Sequence, residues 1–185
     1  MLELIQTIDI NILNGIRANL TNPYMDKFMV FISSLGNLGS IWIVLGIFLI
    51  CIKKYRKVGV VLLVSLIITS ILGEGIIKNI VQRPRPFLLC PNINLIIKAP
   101  MSYSFPSGHT ASSFVAAFVL GNYFKDKRYI FLIFAALMGF SRMYLFVHYP
   151  SDVIAGIILG FIGYKITNIF SEKIFNKNYC RINRQ

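Results

Sequence analysis

The chain has 185 residues, enough for one domain, with 56% hydrophobic and 14% charged residues and a formal net charge of +12. A mean hydropathy of +0.67, together with uncharged runs such as 28–52, excludes an ordinary water-soluble domain. The basic excess lies in blocks between apolar runs: Lys53, Lys54, Arg56 and Lys57, then Lys125, Lys127 and Arg128, then Lys173, Lys177, Arg181 and Arg184. Blocks placed in this way mark membrane topology and anionic lipid rather than a nucleic-acid partner.

In chain order, residues 2–20 carry Leu4, Ile5, Ile8, Ile12, Leu13 and Ile16 at helical spacing, the pattern of an amphipathic helix at the membrane surface. A first span is predicted over 25–52, with Gly36 and Gly39 as a bend, and a second over 58–80. A loop rich in proline and basic residues follows to about 105, and further spans are predicted over 107–124, 129–147 and 151–171. The expected fold is therefore all-α: a polytopic membrane helical bundle of five to six transmembrane helices with an N-terminal amphipathic helix, forming a single domain over 1–185.

Placing the basic blocks in the cytoplasm puts loop 82–106, the turn at 148–151 and all seven prolines on the outer side. Cys51, Cys90 and Cys180 suggest no pairing, because this topology leaves Cys90 alone outside. The start "MLELIQTIDI" has no basic n-region and does not read as a cleaved signal peptide. Helix rise places Lys57 and Lys78 about 32 Å apart and Arg128 and His148 about 30 Å apart, each one bilayer crossing. Lys78, His109, His148 and Asp152 then meet at the outer edge, with Arg142 about 9 Å deeper on a continuous helix.

Three segments hold most of the unusual residues: "KNIVQRPRP" at 78–86, "PSGH" at 106–109 and "SRMYLFVHYPSD" at 141–152. Each has an ordinary explanation when taken alone. Lys78, Arg83 and Arg85 suit snorkelling to headgroups as well as a phosphate grip, and Glu74 suits a helix partner for Lys78. Ser107 suits a helix cap, with Gly108 allowing close backbone approach and His109 entering at an anion's edge. Asp152 suits either a cap or a carboxylate that fixes the tautomer of His148, and Arg142 suits a structural ion pair.

Together the segments resemble the type-2 phosphatidic acid phosphatase superfamily, whose signature is Lys-x6-Arg-Pro, Pro-Ser-Gly-His and Ser-Arg-x5-His-x3-Asp. Lys78, Arg85-Pro86, Pro106-Ser107-Gly108-His109, Ser141-Arg142, His148 and Asp152 match it in order and spacing. The resemblance implies that His148 is a nucleophile forming a phosphohistidine, that Asp152 orients it, and that His109 is the general acid. It implies that Lys78, Arg85, Ser107, Gly108 and Arg142 hold the phosphoryl oxygens; two histidines and seven acidic residues offer no sustained ligand cluster, so no metal and no cofactor is expected. Arg83, two residues early in the doubled "RPRP", is an auxiliary contact in this reading, and the N-terminal third shows fewer clear spans than membrane members usually have.

A site at the membrane edge suits a lipid phosphate, with the bilayer as the other partner. Among the superfamily the chain most resembles the undecaprenyl pyrophosphate phosphatases, with phosphatidylglycerophosphate or phosphatidic acid phosphatases as the alternative. A non-catalytic lipid-phosphate binding or transport protein is the reading from another class. A soluble vanadate haloperoxidase is excluded by hydrophobicity. Oligomeric state is not legible from the sequence.

Overall fold

The structure, a computed structural model, describes residues 2–90 and 93–182, and every regular element among them is a helix. Pro91, Arg184 and the side chains of Lys173, Lys177, Cys180 and Arg181 lie outside what is described. The helices are α1 (Leu2–Leu20), α2 (Pro23–Leu35), α3 (Ser40–Cys51), α4 (Arg56–Ser70), α5 (Lys78–Val81), α6 (Pro86–Leu89), α7 (Gly108–Tyr123), α8 (Arg128–Tyr144) and α9 (Pro150–Ile182).

Helix α1 is amphipathic as the spacing predicts. Leu4, Ile5, Ile8 and Ile12 are exposed, while Leu13 is fully buried against Phe146 and Tyr149. The predicted span over 25–52 is instead a bent pair. Asn22 caps α2 by accepting from the backbone N–H of Tyr24 and Met25, and a 3-10 turn at Asn37–Gly39 breaks the run before α3. Leu38 and Gly39 take left-handed φ values of 54° and 70°, which gives the 45° bend between the two halves.

Between α4 and α5 the chain forms a π-helical stretch, Ile71–Ile77, so Lys78 N–H donates to the Gly73 carbonyl. Such wide turns insert one residue into a helix and re-aim the side chains beyond it. The centre of the bundle is α7, packed between α4, α8 and α9. In lipid the hydrophobic effect does not drive helices together, and close backbone approach takes its place. Gly156 and Gly160 on α9 provide it: a Cβ there would stand 2.8 Å from the Ser107 carbonyl and 2.9 Å from the Ala111 carbonyl.

Outside this centre the surface is apolar, with Ile47, Phe48, Ile67, Ile133, Ile158 and Phe161 exposed. Two stretches, Lys53–Leu89 and Pro150–Ser171, are long and apolar enough to cross a bilayer, and the bent pair makes a third if it is one span. Helices α7 and α8, of 16 and 17 residues, reach only about 24–26 Å, less than a hydrocarbon core of about 30 Å.

Candidate active site

The site collects around the turn at 145–149. Helix α8 ends at Tyr144, short of the predicted 147, because Phe146 adopts a left-handed φ of 58°. This conformation is costly for a bulky side chain, and burial of Phe146 at 1% exposure holds it. The chain folds back, and the N–H groups of Val147 and His148 both donate to the Arg142 carbonyl, at 3.2 and 3.3 Å. The expectation that Arg142 lies about 9 Å below His148 is therefore corrected: the helix is not continuous, and the two residues lie beside each other.

His148 is 2% exposed. Its Nδ1 stands 3.4 Å from Oδ2 of Asp152, and its Nε2 stands 3.3 Å from Arg85 Nη1. Burial pushes the imidazole down from its ordinary 6.5 to about 3; Asp152 opposes this, while Arg85 and Arg142 add to it. Asp152 is fully buried and well held: Oδ2 accepts from the Ser104 hydroxyl and from Tyr149 N–H at 2.9 Å, and Oδ1 accepts from Arg83 at 2.7 Å.

Arg85 is locked by its other bonds, donating to the Val147 carbonyl at 2.8 Å and the Ser102 carbonyl at 2.6 Å. Lys78 donates to both oxygens of Glu74, at 2.6 and 2.8 Å, the helix partnership expected from the sequence. Arg142 donates to the Ser33 hydroxyl, and its buried Nε has no hydrogen-bond partner among the described residues. His109 Nε2 lies 3.2 Å from Asn37 Oδ1 in the 3-10 turn.

Lys78, Arg85, Gly108, His109, Arg142 and His148 line one cavity of about 1030 Å3. Its remaining wall is largely apolar, with Ile43, Leu63, Leu66, Ile67 and Ile71. Two predicted residues do not line it. Asp152 sits behind His148, and Ser107, fully buried, accepts from the Thr110 hydroxyl at 2.9 Å. Ser107 is the residue before α7, but its side chain makes no capping bond, contrary to the cap expected of it. Gly108 is needed for closeness: a Cβ there would collide with the Glu74 carboxylate.

Arg83 is a second correction. It does not line the cavity but faces away from it, between Asp152 and Asp9, so it is not placed as an auxiliary contact to a ligand there. The reverse omission concerns Ser33, Asn37, Ser102 and Ser104. None of them stands in a pattern of charge or spacing, and their partners lie 17 to 109 positions away.

An all-helical bundle with a basic, histidine-bearing cavity opening on apolar walls has known counterparts. The fold matches Aquifex aeolicus LpxE, at a TM-score of 0.76 and 31% identity over 86% of this chain and 94% of that one. It also matches a transmembrane PAP2-type phosphatidylglycerolphosphate phosphatase from Bacillus subtilis, at 0.75 and 25% identity, covering 92% of this chain and 88% of that one. The architecture is that of the helical membrane phosphatases.

The profile of the PAP2 superfamily matches residues 54–175, and the chain belongs to that superfamily. An undecaprenyl-diphosphatase from Sulfolobus acidocaldarius is 36% identical over 137 residues, 74% of this chain and 66%, just under two thirds, of that protein.

Proposed function

We propose that the protein is a metal-independent lipid phosphatase that works through a phosphohistidine on His148. The observation that carries this reading is the single cavity lined by Lys78, Arg85, His109, Arg142 and His148. Three cations hold the phosphoryl oxygens as charge builds in the transition state, and the unpartnered Nε of Arg142 is a donor left for one of them. The N–H groups at the start of α7, after Ser107 and Gly108, add anion-binding donors.

The Nε2 lone pair of His148 forms the P–N bond as the P–O bond to the leaving group breaks, and the leaving oxygen takes the proton of His109. Asp152, facing Nδ1, holds the ring's orientation and balances the positive charge that develops on it. Water then attacks phosphorus, gives its proton to His109 and returns the lone pair to His148. A histidine held neutral by burial is ready to attack without first losing a proton.

The substrate in this reading is a membrane lipid phosphate, with its head in the cavity and its chain along the apolar wall. Undecaprenyl pyrophosphate, converted to undecaprenyl phosphate, is the substrate favoured by the 36% identity to an undecaprenyl-diphosphatase. Phosphatidylglycerophosphate or phosphatidic acid is the alternative, favoured by the likeness to the Bacillus subtilis phosphatase. Residues 1–185 act as one multi-pass domain of the cell membrane, with the motifs over 78–152 and the site on the extracytoplasmic face. A cytoplasmic signal from a reporter fused at the C-terminus supports that sidedness, and an extracytoplasmic signal overturns it.

The deciding experiment is phosphate release by the purified protein from undecaprenyl pyrophosphate, phosphatidylglycerophosphate, phosphatidic acid and diacylglycerol pyrophosphate. Release from at least one is expected, undiminished in excess EDTA; no release from any overturns the phosphatase reading. Ligand binding and cellular function retained in His148→Ala would instead identify a non-catalytic lipid-phosphate binder.

A further inference from the structure

Helix α1 carries a buried acid that a surface helix does not need for its own stability. Asp9 is 3% exposed and lies on the helix face that also presents Gln6, Leu13 and Ile16. Its Oδ1 accepts from Ser151 N–H at 3.0 Å, and its Oδ2 accepts from the Ser151 hydroxyl and from Arg83 Nη2, the latter at 2.7 Å. Arg83 Nη2 also donates to Gln6 at 2.6 Å, while Nη1 donates to Ser151 Oγ and Asp152 Oδ1, both at 2.7 Å. The guanidinium lies over the Tyr149 ring, 3.8 Å from its centre.

These contacts form a line of alternating charge: Asp9, Arg83, Asp152 and then His148, which becomes positive as it bonds phosphorus. Asp152 stands between two cations at that moment. An unbalanced Arg83 would draw its charge away from the imidazole, and a missing Arg83 would leave Oδ1 free to swing. The other ionisable groups around His148 are Arg85, Arg142 on α8, His109 on α7 and Lys78 on α5, and none of them is hydrogen-bonded to Asp152 or Asp9 among the described contacts.

We infer that Arg83 and Asp9 are positioning residues: Arg83 fixes the outer oxygen of Asp152, and Asp9, delivered by α1, balances Arg83 so that Asp152 serves His148. The inference rests on the phosphohistidine reading. It gives the N-terminal helix, which lies outside the matched family region of 54–175, a part in the chemistry.

The test compares Asp9→Asn, Arg83→Gln and their double variant with the wild type, on the lipid of the panel hydrolysed fastest. Each single variant is expected to lower kcat by ~10- to 100-fold, the worth of one charge-assisted hydrogen bond, with KM changed less than about threefold. The double variant should be no slower than Arg83→Gln, because Asp9 acts through Arg83. Binding of orthovanadate, which takes the five-coordinate geometry of phosphoryl transfer, should weaken in parallel while inorganic phosphate binding stays within about twofold.

Wild-type kcat in Asp9→Asn overturns the inference, as does an additive loss in the double variant. Equal weakening of phosphate and vanadate marks a merely structural role and also overturns it. If Arg83→Gln does not fold, the kcat-against-KM split of Asp9→Asn decides alone. An inactive wild type overturns the phosphatase reading instead, and the vanadate-against-phosphate comparison still judges the placement of Asp9 and Arg83.

Discussion

The two histidines of the chain line the same cavity but stand in regions built differently. His148 sits in a folded-back turn, with its N–H fixed to the Arg142 carbonyl and its ring between Arg85 and Asp152. Behind it, Asp152 is itself held by Ser104, Tyr149 and Arg83. His109 is half-buried, has Asn37 as its polar side-chain partner, and lies against Gly36 where the bent helix pair breaks. The contrast fits the proposed chemistry: a nucleophile needs a fixed tautomer, whereas an acid that serves a leaving oxygen must release and regain a proton.

The most severe way to break the contrast is on the rigid side. His148→Ala should lower phosphate release by at least ~10³-fold, and radiolabelled substrate quenched in alkali should leave no label on the protein. A residual rate near that of the wild type would remove His148 from the nucleophile role. On the looser side, His109→Gln should cost ~10²- to 10⁴-fold, the usual worth of a general acid.

The two substitutions should also part in their pH dependence. For the wild type, kcat/KM should rise with pH as His148 deprotonates. Because burial puts the His148 imidazole at about 3, the rising limb should lie far to the acid side of an ordinary histidine. His109→Gln should lower the whole profile and leave the rising limb in place, whereas His148→Ala should abolish that limb. A rising limb near 6.5 would contradict the control of His148 by burial.

Smaller effects sharpen the comparison from the hinge. In Gly36→Ala the new methyl would meet the Met138 sulfur at 2.7 Å and the His109 ring at 2.8 Å. It should displace the ring and lower kcat by ~10-fold, the scale of a small misplacement at a reacting group. Asn37→Ala removes one neutral hydrogen bond and should cost about threefold to tenfold, read as a change in kcat. An effect of Asn37→Ala equal to that of His148→Ala would show that the hinge is as tightly coupled to the chemistry as the turn.

What was legible in the sequence follows the range of the interactions. The residues over 78–152 share a spacing, and six of the eight candidates line one cavity; Glu74 with Lys78 is a contact four residues apart and was legible in the same way. The end of α8 was not, because Leu145, Phe146 and Val147 continue an apolar helical run and an aromatic residue gives no sign of a left-handed φ. Ser107 looked like a cap because its type and place are right, but its hydroxyl is taken by Thr110. Asp9 reaches Ser151 across 142 positions, and no local period carries such a pairing.

The π-helical stretch before Lys78 has a consequence for how this chain tolerates changes in length. Each residue advances an α-helix by about 100°, and the wide turn takes up one residue more than an α-helix uses over the same sweep. Loss of a single residue there, at Gly75 for instance, where a side chain would meet nothing within 4 Å, would restore an ordinary helix and leave the bearing of Lys78 nearly unchanged. The stretch can thus give up one residue while keeping the lysine aimed at the cavity, a tolerance that an uninterrupted helix lacks.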